Sequence, residues 1–319
     1  MRKIKPNMSE LDRFYRPTLF TLLDGLSQAE GSKGEVIVMD VNDASIVSWV
    51  LLEESKGEPG EFVFRTSRVK NVDSISIETE DGRDFVEGGG WNMIPIEPFM
   101  PFVAYMYFAK SGCHPLDYFN WNEEKVNLDD AFVNGMYGPL NAVLLECFDN
   151  DINALLNYMS EIGVPPIYPN EYPNNLHELI HNELPDLNLL DWACQVVRGK
   201  GIRNSLMARD GKPYTIKLKP KSVQMIKDVL RKSGAKCITK SEKDEDNNIA
   251  GYTYVSEKDA NRNWYIFSLA FFPSDKPQYG MLVYLKRHEQ LQDVVRNEWP
   301  ELGMYAANIC KAVTEIIMK

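Results

Sequence analysis

A chain of 319 residues, 44% hydrophobic and 25% charged, has ample apolar material for a packed core, and its six Trp, 15 Tyr and 14 Phe exclude a disordered chain. The formal net charge of −11 makes the protein as a whole repel nucleic acid and anionic lipid. Five scattered cysteines, with no CxxC among them, exclude a cysteine-built zinc site and argue against a disulfide framework.

A reducing, cytoplasmic location is the expectation from that cysteine usage. The N-terminal stretch is basic but lacks the apolar run of a secretory signal. The most apolar segment, Phe99–Ala109, is about half of the ~20 residues a membrane helix needs, so no membrane partner is expected. The length favours two domains, or one with a large insertion.

In chain order, Ser9–Leu26 carries Leu11, Phe14, Tyr15, Leu19 and Leu22 at helical spacing, with Ser9 as a cap. Strands are predicted at Glu35–Val41, Ser45–Leu52, Glu61–Thr66 and Val72–Thr79 from β-branched content and alternation. Phe99–Lys110 reads as a buried helix. Leu140–Met159 reads as one amphipathic helix, and the prolines of Ile162–Asn175 make it a linker or surface loop. Two short helices follow at Leu176–Leu184 and Leu187–Val197.

Tyr214–Leu218 alternates as a strand. Pro220 opens a helix running to about Lys232, with Gly234 as its stop. Strands are expected at Ala235–Thr239, Ile249–Ser256, Asn263–Phe272 and Met281–Leu285, then helices from about Glu289 and over Gly303–Met318. The expected fold class is α+β. Antiparallel sheets lie in the terminal units, 1–111 and 209–319, each roughly helix, four strands, helix. A mainly helical middle, 112–208, joins them.

One stretch departs from the acidic character. Arg198–Lys240 holds 13 Lys and Arg against two acids, Asp210 and Asp228. Arg198, Lys200, Arg203, Arg209, Lys217, Lys219, Lys221, Lys227 and Arg231 could hold a phosphate backbone, which Lys, Arg and the N–H groups of tight turns bind. Tyr214 lies within the block. Tyr252, Tyr254, Trp264, Tyr265 and Tyr284 are candidates for stacking bases. The leading reading is therefore a non-enzymatic protein that binds RNA or single-stranded DNA without a cofactor. The plainer reading pairs these cations with the acidic remainder of the chain.

A second motif is His177-Glu178-Leu179-Ile180-His181. On a helix, HExxH sets two His four apart to share a zinc ion, with Glu178 as general base on bound water. Against a zinc hydrolase, Pro185 limits the helix to barely two turns, and only Asp186 or Asp191 could supply a third ligand nearby. A third reading is an adaptor whose basic block docks on an acidic protein or on its own oligomer.

Overall fold

The structure is a computed structural model that describes residues 8–54, 62–71, 74–79, 84–85, 93–114, 117–121, 124–164, 173–199, 219–240, 248–256, 263–288 and 299–319. The fold is α+β with antiparallel sheets. Helix α1 (Met8–Gln28) leads into strands β1 (Gly31–Asp40), β2 (Ile46–Glu54), β3 (Phe62–Asn71), β4 (Ser74–Thr79) and β5 (Asp84–Phe85). A short strand β6 (Met93–Pro95) and a 3-10 turn, Glu97–Phe99, precede helix α2 (Met100–Ser111).

Next come the hairpin β7 (Tyr118–Trp121) and β8 (Glu124–Asn127), then helices α3 (Leu128–Val133), α4 (Tyr137–Glu146), α5 (Ile152–Glu161) and α6 (Leu176–Ile180). Strand β9 (Glu183–Pro185) pairs with β6 and leads to α7 (Asp186–Arg198). The chain closes with α8 (Pro220–Gly234), a π-helical turn at Ala235–Thr239, strands β10 (Ala250–Val255), β11 (Asn263–Phe272) and β12 (Tyr279–His288), and α9 (Trp299–Met318).

The strands of both ends build one sheet, ordered β10-β11-β12-β1-β2-β3-β4-β5. Strand β1 is central because both of its faces are apolar. Val36 and Val38 face one layer, with Leu22 and Leu26 of α1 and Ile309 and Val313 of α9. Ile37 and Met39, one residue out of phase, join the other layer with α2, α7 and α8. The sheet is thus covered on both sides, which is why its strands read as nearly continuous apolar runs.

Helix α2 is apolar all round and lies inside the second layer. Phe99 and Phe102 pack on Trp192 of α7, with ring centroids 6.5 and 5.4 Å apart. Each such buried side chain contributes roughly 1.5–3 kcal/mol. Gly112, at φ 85°, caps the helix in the left-handed region.

Three segments differ from expectation for local reasons. Leu140–Met159 breaks because Asp149 and Asn150 take φ values of 53° and 60°, and Asp151 caps a new helix through the N–H of Asn153. The helix expected over Leu176–Leu184 stops at Ile180, and Glu183–Pro185 pairs as a strand instead. Ala235–Thr239 continues α8 as a π turn rather than a strand. Gly234 closes α8 without breaking the helical run: a Cβ there would lie 2.2 Å from the Ile249 carbonyl oxygen, so this glycine is needed for close approach to the chain entering β10. The strand expected at Tyr214–Leu218 and the start of the helix expected near Glu289 fall outside the described residues.

Candidate functional site

Of the basic block, Lys200, Arg203, Arg209 and Lys217 lie outside the described residues. Arg198 ends α7, and its guanidinium donates to the Val41 carbonyl oxygen. It is half-buried, and that burial lowers its pKa; the acids Asp191, Asp40 and Asp43 act in the opposite direction. It ties α7 to the end of β1.

Lys219 and Lys221 are exposed at the start of α8, while Lys227 and Arg231 are half-buried along it. The next turn is tied inward. Lys232 pairs with the Asp129 carboxylate on α3, which also accepts the Tyr105 hydroxyl, and Lys236 donates to the Asn134 side chain. The aromatics expected to stack bases are not available for it. Tyr252, Trp264 and Tyr284 are buried, and Tyr254 and Tyr265 are half-buried against the core. Strand alternation places these rings toward the two helical layers that cover the sheet.

The HExxH pentapeptide occupies α6 and its C-cap. Asn175 caps the helix, its Oδ1 accepting the Glu178 N–H at 2.9 Å. The Glu178 carboxylate returns to accept the Asn174 N–H at 2.7 Å and the Asn175 side chain at 2.9 Å, a variant of the capping box in which the returning carboxylate takes the N–H of the residue before the cap. The Asn174 N–H foremost lowers the Glu178 pKa.

A carboxylate held ionised by helix-start donors is engaged as a cap rather than poised as a base. His177 and His181 are exposed, with ring centroids 4.3 Å apart at an edge-to-face angle. Among the described residues no group of three or more His, Cys, Asp and Glu could hold a metal. Asp186 and Asp191, the candidate third ligands, are buried in α7, where Asp191 accepts from Gln195 at 2.9 Å. The two histidines therefore have no third ligand beside them among the described residues.

A different junction brings distant segments together. The turn into α2, the α3–α4 segment and the edge strand β10 meet at one place. The Tyr252 hydroxyl donates to the Pro98 carbonyl at 2.7 Å, and the Tyr254 hydroxyl to the Glu97 carboxylate at 2.7 Å. The Tyr137 hydroxyl, from the start of α4, donates to the Thr253 carbonyl at 3.0 Å.

The rings form one cluster. Tyr137 stacks on Tyr254 at 5.2 Å, and Phe132 meets Tyr252 edge-on at 5.2 Å. Burial raises the pKa of the Tyr137 and Tyr252 hydroxyls, so both stay protonated and donate. At the first turn of α2, Met100 and Val103 sit one turn apart, both fully buried. The alternation of Tyr252 and Tyr254 was the only sequence signal pointing here. It marks a strand but does not say which helix start that strand meets.

No family model and no curated protein matches the chain. Solved structures do resemble it. The transpeptidase domain of the D,D-transpeptidase FtsI4 from Legionella pneumophila superposes with a TM-score of 0.62 at 13% identity, covering 98% of each chain. The PBPA structure from Mycobacterium tuberculosis gives a TM-score of 0.63 at 13% identity, over 97% of this chain and 81% of that one. The transpeptidase domain of penicillin-binding protein 3 from Burkholderia pseudomallei gives 0.58 at 10% identity, over 98% and 97%.

These neighbours correct three expectations. They are transpeptidases and penicillin-binding proteins, not nucleic-acid-binding proteins, so the RNA or single-stranded DNA partner and the RNA-binding role are set aside. The cytoplasmic location, inferred from free cysteines, is set aside with them, because other neighbours are named for peptidoglycan, a cell-wall polymer. No helix among the described residues is long and apolar enough to cross a membrane. Over almost its full length, this chain has the fold of the transpeptidase domains of penicillin-binding proteins.

Proposed function

We propose that the chain is a non-acylating protein of the transpeptidase fold that serves peptidoglycan synthesis by binding rather than by cross-linking. Penicillin-binding proteins acylate a serine using three short motifs, S-x-x-K, S-D-N and K-T-G. The sequence contains neither S-D-N nor K-T-G. S-x-x-K occurs twice, at Ser67–Lys70 and Ser233–Lys236.

Neither copy is built for catalysis. Ser67–Lys70 lies within strand β3, where the one-turn helical spacing that joins i and i+3 does not exist. Ser233 is fully buried near the end of α8, 3.8 Å from the Cys237 sulfur, and Lys236 is committed to Asn134.

The observation that carries the reading is the pair Met100 and Val103. A serine and lysine one turn apart at a helix start share a face, and the helix N-terminus favours developing negative charge. Among the described residues, the turn that starts α2 is tied by hydrogen bonds to the edge strand β10, which reads Tyr252-Thr253-Tyr254. Met100 and Val103 hold the two positions on that first turn, and neither can attack or shuttle a proton. Aromatic rings and their hydrogen bonds fill the place where three segments converge. Serine acyl transfer uses no cofactor, and a binding role calls for none.

Two measurements test the proposal together. Incubation with a labelled penicillin followed by intact-mass measurement is expected to give no adduct under conditions that fully label a penicillin-binding transpeptidase domain. Co-sedimentation with purified peptidoglycan is expected to be saturable. Stoichiometric acylation would overturn the non-catalytic reading, and failure to bind peptidoglycan or its stem peptides would overturn the binding role.

A further inference from the structure

A cavity of about 490 Å³ lies between the end of α9, the π turn after α8 and the approach to β10. It is separate from the aromatic junction, although β10 runs from one to the other. Ile249 and Met318 give it apolar walls. Lys311, Thr314 and Glu315 line it from α9. Lys311 and Glu315 stand four residues apart, so they share one helix face. Both are exposed, and among the described residues neither forms an ion pair.

The Thr314 hydroxyl is the informative atom. Thr314 is 4% exposed, and among the described residues its Oγ1 has no hydrogen-bond partner. A buried hydroxyl without a partner loses its hydration with nothing in return, and native structures rarely tolerate that unless another molecule supplies the bond. An opposite-charge pair left open beside it, over an apolar wall, has the character of a ligand site: mostly apolar, with a few placed polar groups.

We infer that this cavity binds a small zwitterion with an apolar side chain, an amino acid or a dipeptide. The ligand carboxylate meets Lys311 and accepts from the Thr314 hydroxyl. The ligand ammonium meets Glu315. The side chain rests on Ile249 and Met318. Lys319 adds a second cation to the lining; an anion alone would leave Glu315 unmatched, and an uncharged apolar molecule would leave the hydroxyl unpaired. The volume exceeds that of one amino acid and accommodates a dipeptide.

The experiment is calorimetric titration of the full chain with leucine and with leucyl-leucine. Saturable binding at one ligand per chain is expected for one or both, and the tighter of the two sets the length the cavity accepts. Lys311→Ala and Glu315→Gln, both at exposed helix positions, should each weaken binding about tenfold or more, the loss of one charge-assisted contact. N-acetyl-leucyl-leucine should bind more weakly than the free dipeptide and no longer respond to Glu315→Gln.

Thr314→Val keeps shape and removes the hydroxyl. It should weaken binding while leaving the melting temperature equal to or above that of the parent. Absence of saturable binding by either ligand, or binding indifferent to all three substitutions, overturns the inference. The outcome is independent of penicillin acylation and of peptidoglycan co-sedimentation.

Discussion

The Tyr254 hydroxyl donates to the Glu97 carboxylate at 2.7 Å, joining the edge strand β10 to the turn that starts α2. Glu97 is 4% exposed, so this bond is made out of water. Tyr254→Phe is expected to lower stability by about 1–3 kcal/mol, as for a hydrogen bond to a buried charged group. Tyr252→Phe, which loses a bond to a neutral carbonyl, should cost about 1 kcal/mol. Urea denaturation of both variants measures the difference, and equal effects would mean that Glu97 is not charged in the folded protein.

Val103 lies one turn into α2 and is fully buried. Val103→Lys, which would recreate half of an S-x-x-K pair, places an ammonium among apolar and aromatic groups. The expected cost is roughly 3–5 kcal/mol, that of an uncompensated buried charge. Stability within 1 kcal/mol of the parent would mean that a carboxylate such as Glu97 can reach and pair with the new cation. The site would then be closer to a catalytic one than its present residues suggest.

Glu35 on β1 and Asp186 at the start of α7 are both fully buried, and the Trp49 ring N–H donates to Glu35 at 2.6 Å. Burial, then the neighbouring Glu35, push the Asp186 pKa well above the ordinary value, while the Leu187 N–H and Lys33 oppose the shift. The folded state therefore keeps a proton that the unfolded chain releases near pH 4. The linked stability is complete below that pH and is lost as pH rises through the folded pKa. Asp186→Asn should flatten the dependence and raise the melting temperature at neutral and alkaline pH. An unchanged pH profile in that variant would rule out Asp186 as its source.

Gly234 approaches backbone, not a flexible side chain. A Cβ would fall 2.2 Å from the Ile249 carbonyl oxygen and 3.0 Å from the Ala250 Cα. Gly234→Ala should destabilise by about 3 kcal/mol through displacement of β10, although alanine is the better helix former. A stabilised variant would show that α8 and β10 do not meet so closely.

Asn175 and the two histidines separate the cap from the metal motif. Asn175→Ala should cost about 1 kcal/mol as a lost N-cap. The His177→Ala, His181→Ala double variant should leave both stability and metal content of the purified protein unchanged. A loss of bound zinc in the double variant would reinstate the motif.

Much of the architecture was legible one element at a time. Val36 to Met39 announce a strand buried on both faces, and Phe99–Lys110 announces a helix with no polar side. The hairpin Tyr118–Asn127 was not foreseen, because Asn120, Asn122, Glu123 and Glu124 suppress any apolar alternation. The capping box at Asn175 and Glu178 shares its residues with HExxH, and spacing alone cannot separate them. The basic block was visible as charge. Its inward ties, Lys232 to Asp129 and Arg198 to Val41, span 103 and 157 residues and leave no local signature.

By itself the sequence determined the fold class, most element positions and the absence of S-D-N and K-T-G, since these depend on local periodicity and composition. Only the tertiary structure decided that β12 pairs with β1, making one sheet from both ends of the chain. It also brought Pro98, Tyr137 and Tyr252 to the same junction. Such long-range contacts are set by which buried faces fit together, and no short window of residues encodes that choice.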